Sequence, residues 1–94
     1  MSKRPLHLVA YDIRHPRRLK AALWVVREFS TGGQKSVHEC FLSASERAEL
    51  LRGLEDVIEP QEDAVLVIRL DRRAEVRTLG IAVPPQDEPF FYVG

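Results

Sequence analysis

The sequence predicts an α+β fold, with two amphipathic helices lying over one face of an antiparallel β-sheet. Three observations lead there. Leu6–Tyr11 and Ala64–Leu70 are short apolar runs ending at charge, the pattern of buried strands. Two segments, one on each side of residue 36, repeat apolar residues at helical spacing, as surface helices with one buried stripe do. The two kinds of segment alternate along 94 residues, a length that supports one modest core and no second one.

The elements follow in order. Leu6–Tyr11 forms the first strand, and Asp12 closes it with a carboxylate. "RHPRRL" then opens a helix, where Pro16 is tolerated because an N–H in the first turn would have no partner. Leu19, Ala22, Leu23, Val26 and Phe29 share one helical face, and Ser30-Thr31-Gly32-Gly33 reads as the stop. Gln34–Leu42 is extended in character, as one strand or as two short ones. Ser43 and Glu46 have the spacing of a capping box. The second helix behind it carries Leu50, Leu51, Leu54, Val57 and Ile58 on its apolar face. Pro60–Asp63 is a polar break, "AVLVIRL" the clearest strand, and "TLGIAV" a further strand after a charged turn. "PPQDEP" reads as a stiff linker to "FFYVG".

If residues 34–42 supply two strands, the order becomes βαββαβ, a ferredoxin-like sandwich with an extra C-terminal strand. Residues 1–83 would form the domain and 84–94 a tail, either an edge strand or a partner-binding segment. Two helices cover one sheet face and leave the other bare, apolar and about 20 Å across. Such a face rarely stays exposed. A homodimer with the sheets face to face is the expected solution.

Composition narrows the function. Hydrophobic content is 45% and charged content 30%, which excludes a disordered chain. Cys40, the single cysteine, has no internal disulfide partner, as expected of a reducing cytoplasm. No apolar run approaches the roughly 18 residues of a membrane span, and the basic N-terminus lacks the apolar core of a secretory signal, so a cytoplasmic protein is expected. The zero formal net charge conceals an asymmetry. Residues 1–36 carry eight Lys and Arg against two acids, a net +6, and residues 37–94 carry six against twelve, a net −6. Opposite halves suit either a polyanion-binding face or attraction between subunits, unless the charges are simply spread over the surface.

Asp12 is the candidate metal ligand and catalytic carboxylate. The alternative is a purely structural acid satisfying the N–H groups of the helix behind it. His7, His15 and His38 form no zinc-like spacing with Cys40. Arg17, Lys20, Trp24 and Arg27 fall within a sector of about 80° on a helical wheel, away from the apolar face. With Arg14, Arg18 and Lys35 they form the expected phosphate-binding set. Trp24 is either a stacking residue among them or a rim residue covered by the tail.

These motifs resemble a known family. "VAYDI" ending the first strand, a basic first helix, "QKSVHEC" after a glycine pair and "DAVLVIRL" in last-strand position are similar to the Cas-two family of small CRISPR-associated adaptation proteins. The resemblance implies a ferredoxin-like fold and a symmetric dimer. It also implies a place between integrase dimers of the Cas-one family, which insert foreign DNA into the CRISPR array. Some members are described as metal-dependent nucleases. Asp12 matches the family's acid, Tyr11 the aromatic before it, Arg18 and Lys20 its basic positions, and Ser36 with Val37 its small polar and apolar pair. His38 stands where Phe is usual, and His15 where an acid or another polar residue is common.

The expected function is therefore a CRISPR adaptation subunit that binds duplex DNA and bridges integrase dimers. The alternative is a stand-alone magnesium-dependent endonuclease in which two Asp12 carboxylates, brought together by a two-fold axis, hold one hydrated Mg²⁺ and cleave RNA or DNA. A third reading is a non-catalytic, ligand-sensing dimer.

Overall fold

The fold is seen in a computed structural model that describes residues 4–33, 37–72 and 74–82. The element order is β1 (Leu6–Asp12), α1 (Pro16–Arg27), β2 (Ser30–Gly33), β3 (Val37–Phe41), α2 (Ala44–Val57), β4 (Ala64–Arg69) and β5 (Val76–Gly80). All strand pairings are antiparallel, in the order β2-β3-β1-β4-β5. This is the βαββαβ sandwich with a fifth strand beyond β4. The molecule is 21 Å thick along its short axis, as one helical layer on one sheet requires.

Alternation along β1 sorts the core. His7, Val9 and Tyr11 are buried under the helices, as are His38 and Cys40 of β3 and Val65 and Val67 of β4. Ala22 and Val26 of α1 and Leu50 and Leu54 of α2 close over them. The opposite face carries Leu6, Leu8 and Ala10, paired in register with Phe41, Glu39 and Val37 on one side. Ile68 and Leu66 lie beside Leu8 and Ala10 on the other side. Phe41 remains 45% exposed and Val37 38%. Leu6, Leu8, Ala10, Leu66 and Ile68 are each partly buried, and neither described helix lies on this face.

Local signals fix both helices. Ser43 caps α2 in a complete capping box: Glu46 N–H donates to Ser43 Oγ at 3.2 Å and Ser43 N–H donates to Glu46 Oε1 at 2.8 Å. At α1, His15 is the N-cap, its Nδ1 accepting from Arg17 N–H at 3.1 Å, and Pro16 occupies the first turn.

Several expectations need correction. Ser30–Gly33 does not merely stop the helix; it forms β2 and pairs with β3 through a bulge. The second strand of the hairpin thus comes from before residue 34, and the described part of the 34–42 segment gives the single strand β3. The α1 apolar face is also rotated. Leu19 is 39% exposed, and Val25 packs against the core instead. The last strand begins at Val76 rather than Thr78, and Ile81 is half exposed. It ends early because Gly80 takes φ +68° and the following N–H, of Ile81, donates to Asp63 O at 2.9 Å. The tail at 84–94, and with it any cover for Trp24, lies outside the described residues, as do Lys35 and Ser36.

Candidate functional site

Asp12 ends β1 on the open face, in register with Ala64, and is exposed. It lies on a hollow of about 340 Å³ that Ala10, Val37, Ala64, Leu66 and Ala82 also line. The carboxylate makes no hydrogen bond or ion pair with the described residues. The structural role considered for it, serving the start of α1, falls to other groups. His15 caps the helix, and a buried carboxylate that the sequence analysis passed over, Asp63, holds the turn before it.

Asp63 is completely buried. Its oxygens accept from Arg14 N–H at 2.9 Å, Glu59 N–H at 2.8 Å and Arg18 Nε at 2.7 Å, with Arg18 Nη2 at 3.1 Å. The Arg18 guanidinium chiefly, with these N–H donors, brings its pKa down to about 2 despite burial. A buried carboxylate is tolerable only when satisfied in this way. Asp63 thus ties the turn after Asp12 to the α2–β4 loop. It also engages Arg18 inside the molecule, where Glu62 adds a contact at 3.3 Å.

The other cations of the first half are differently placed. Arg14, Arg17, Lys20 and Arg27 are exposed and form no ion pair with the described residues. Trp24, 66% exposed, stands on the same outer face of α1 as Arg17, Lys20 and Arg27. Arg4 is bound to Glu46 at 2.9 Å. The two charge halves therefore meet at Arg4–Glu46 and Arg18–Asp63, and what remains free is a basic stripe along α1. Trp24 stands among these cations on the exposed face.

No cluster of three His, Cys, Asp or Glu side chains exists among the described residues. Glu39 shares the open face with Asp12 but pairs in register with Leu8, about 13 Å along the strand from Asp12. Among the described residues, one chain therefore offers a single carboxylate at the hollow. Cys40 is buried, and burial pushes its thiol up to about 11, so it is a core residue rather than a nucleophile. His38 is buried and packs in the core, stacked on Tyr11 with ring centroids 5.7 Å apart. It adds a hydrogen bond between its Nε2 and the Tyr11 hydroxyl at 3.0 Å.

The sequence matches the CRISPR-associated protein Cas2 family over residues 5–78. The chain belongs to that family. It is 47% identical to a CRISPR-associated endoribonuclease Cas2 of Thermodesulfovibrio yellowstonii, over 97% of this chain and 99% of that one. A second relative, a CRISPR-associated endoribonuclease Cas2 of Nitrosomonas europaea, is 35% identical over 84% of this chain and 70% of its own. Among solved structures, Streptococcus pyogenes Cas2 at pH 6.5 superposes with a TM-score of 0.65 at 25% identity, covering 74% of this chain and 95% of that one. A hypothetical protein from Thermus thermophilus shares the fold, with a TM-score of 0.62 at 22% identity over 88% of each chain. The family match spans the segments that carried the resemblance, from Tyr11-Asp12 to the Ala64–Arg69 strand.

Proposed function

We propose that this Cas2 chain is a CRISPR adaptation subunit of the cytoplasm, working as a homodimer that binds duplex DNA through α1 and bridges Cas-one integrase dimers. One observation supports this reading above the others: three cations without an ion pair among the described residues, Arg17, Lys20 and Arg27, lie on one exposed face of α1, and Arg14 is exposed just before the helix. The bare face of Leu8, Ala10, Leu66 and Ile68 is the natural seat for a second copy, since covering it removes apolar area from water. A two-fold axis through that face would double the basic stripe. Phosphate contacts of this kind tolerate any sequence and weaken with salt. The experiment is fluorescence anisotropy of a labelled duplex from 50 to 300 mM salt. Arg17→Ala with Lys20→Ala should weaken binding and flatten the slope of log affinity against log salt by about two in one chain's contribution. An unchanged slope refutes the α1 interface.

The second reading is a stand-alone magnesium-dependent endonuclease cleaving RNA or DNA; the relatives are named endoribonucleases, which supports RNA. The observation favouring it is that Asp12 is unpaired, exposed and set at a hollow. Among the described residues, one chain brings only Asp12 to the hollow, a thin set for Mg²⁺, which takes six oxygens and keeps several as water. Two Asp12 carboxylates facing each other across a dimer axis would fit a hydrated ion. Such an ion supplies Lewis-acid activation of a phosphate or a water. Asp12 itself would orient the ion's water shell by accepting its hydrogen bonds. Asp12→Asn removes the charge and leaves the shape; cleavage of single-stranded RNA with magnesium should fall at least a hundredfold. Cleavage surviving the substitution places the activity elsewhere.

A further inference from the structure

At the other end of β1 from Asp12 lies a hollow of about 520 Å³, between the start of α2 and the end of β4. Its walls include His7, Ser43, Ser45, Arg47 and Arg69. Two groups there are poorly satisfied. His7 is 1% exposed, and its Nε2 has no hydrogen-bond partner. Its Nδ1 lies 2.8 Å from the Pro5 carbonyl. A carbonyl can only accept, so Nδ1 carries the proton and the neutral ring leaves Nε2 as a bare lone pair. Arg47, with a side chain 14% exposed, reaches Glu75 only at 3.6 Å, beyond hydrogen-bonding range. Arg69 commits Nε and Nη2 to Asp71 at 2.7 Å each, which leaves Nη1 available. The capping box uses the N–H groups of Ser43 and Glu46 and leaves those of Ala44 and Ser45, the first two of the helix, without a partner within it.

We propose that this hollow is an anion site for a phosphate-class oxyanion, held by Arg47, Arg69, Ser45 and the α2 N-terminus, and that His7 joins as a donor by taking up a proton at Nε2 as the anion binds. The cations explain why the proton waits for the ligand. Burial first, then the charges of Arg47 and Arg69, hold the imidazole below its ordinary range, against the opposing pull of the Pro5 carbonyl and Asp71. A dianion between the two guanidiniums reverses that field. Around the ring, α2 presents Arg47 and the Glu46 that Arg4 holds, β4 presents Arg69 with Asp71 beyond it, and β3 presents Cys40 opposite His7. Glu75 faces Arg47 from the β4–β5 turn. Of these, only the imidazole changes charge near neutral pH with a ligand in place. The site takes a single phosphate group and is separate from the α1 stripe, which tracks a backbone. That phosphate is either a free anion or the terminal phosphate of a nucleic acid strand.

Sulfate is the first probe, because it stays a dianion from pH 5.5 to 8 and any pH dependence then belongs to the protein. By calorimetry on the full chain, sulfate should bind about tenfold more tightly at pH 5.5 than at pH 8, one proton being taken up. Arg47→Gln should weaken binding at both pH values, and His7→Gln should flatten the pH dependence. Should His7→Gln not fold, the wild-type protein decides alone: the ¹⁵N resonance of His7 Nε2 should move to its protonated position as sulfate saturates. A Nε2 signal that stays put, or sulfate binding that Arg47→Gln leaves intact, overturns the site. Competition identifies the source. Displacement by a 5′-phosphorylated dinucleotide but not by its dephosphorylated form supports a strand terminus, and displacement by inorganic phosphate alone supports a free anion. Displacement by neither overturns the phosphate class.

Discussion

Asp63 is the residue on which the candidate site is built, although it lies outside it. Four donors converge on its buried carboxylate, from the turn after β1, from α1 and from the loop after α2. Asp63→Asn keeps the shape but replaces an acceptor oxygen by a donor facing Arg18, and leaves that guanidinium without its closest partner. A loss of about 3 kcal/mol in urea unfolding is expected, since breaking a buried pair from one side is costly. The pH sign follows from the depressed carboxylate. The folded group sits at about 2 against 3.8 for an ordinary one, so the folded state binds fewer protons. Its stabilisation, about 2 kcal/mol, is present above pH 4 and disappears as pH falls toward 2. Acid unfolding of the wild type should therefore show a component in that window that the asparagine variant lacks. The sequence held little warning of this. Asp63 sits among Glu59, Glu62 and Pro60, and nothing in its neighbourhood separates it from the solvated acids around it. Only Arg18, forty-five positions away, makes it distinct.

The packing of the two helices turns on Gly53. In an ordinary helix interior, alanine there would stabilise by about 1 kcal/mol. Here a Cβ at Gly53 would lie 2.9 Å from Val25 Cγ1 on α1. Valine is stiff at χ1 in a helix, so it does not swing aside. Gly53→Ala is expected to be destabilising by about 1 kcal/mol net, because overpacking outweighs the propensity gain. Adding Val25→Ala should recover part of that loss, a coupling that a double-mutant cycle in urea measures. At this scale much was legible. The capping box at Ser43, the apolar face of α2 and strands β1 and β4 appear where their local patterns place them. The exceptions share a cause. Ser30–Gly33 carries helix-stop residues, and its strand character comes from pairing with β3 rather than from its own propensity. The start of β5 is set by register against β4, with Val76 opposite Ile68 and Gly80 opposite Ala64.

At the scale of the whole molecule, the described helices form one layer and cover one face of the sheet. Leu66 lies near the middle of the opposite face and lines the hollow beside Asp12. If a second copy covers it, Leu66→Glu places a charge in the interface at no cost to the helix-side core. Sedimentation velocity at micromolar concentration should then show a dimer for the wild type and a monomer for the variant, with far-UV circular dichroism unchanged. Duplex affinity should fall along with dimerisation, because each chain would present its basic stripe singly. A wild-type chain that sediments as a monomer would remove the basis for two-fold metal binding at Asp12 as well.

The sequence alone determined the order of apolar segments and their periods, and hence two helices over one sheet with an open apolar face. It also carried the family's motifs and the basic residues of α1, because periodicity, caps and motifs are local properties of the chain. The tertiary structure alone decided which charges are free. Arg18 and Lys20 stand two residues apart in one basic run, yet the first is bound inside by Asp63 and the second faces outward. The same holds for the acids: Asp12 lies open and Asp63 is completely buried. Ion pairing and burial depend on distances between residues remote in sequence, and only the folded chain sets those distances.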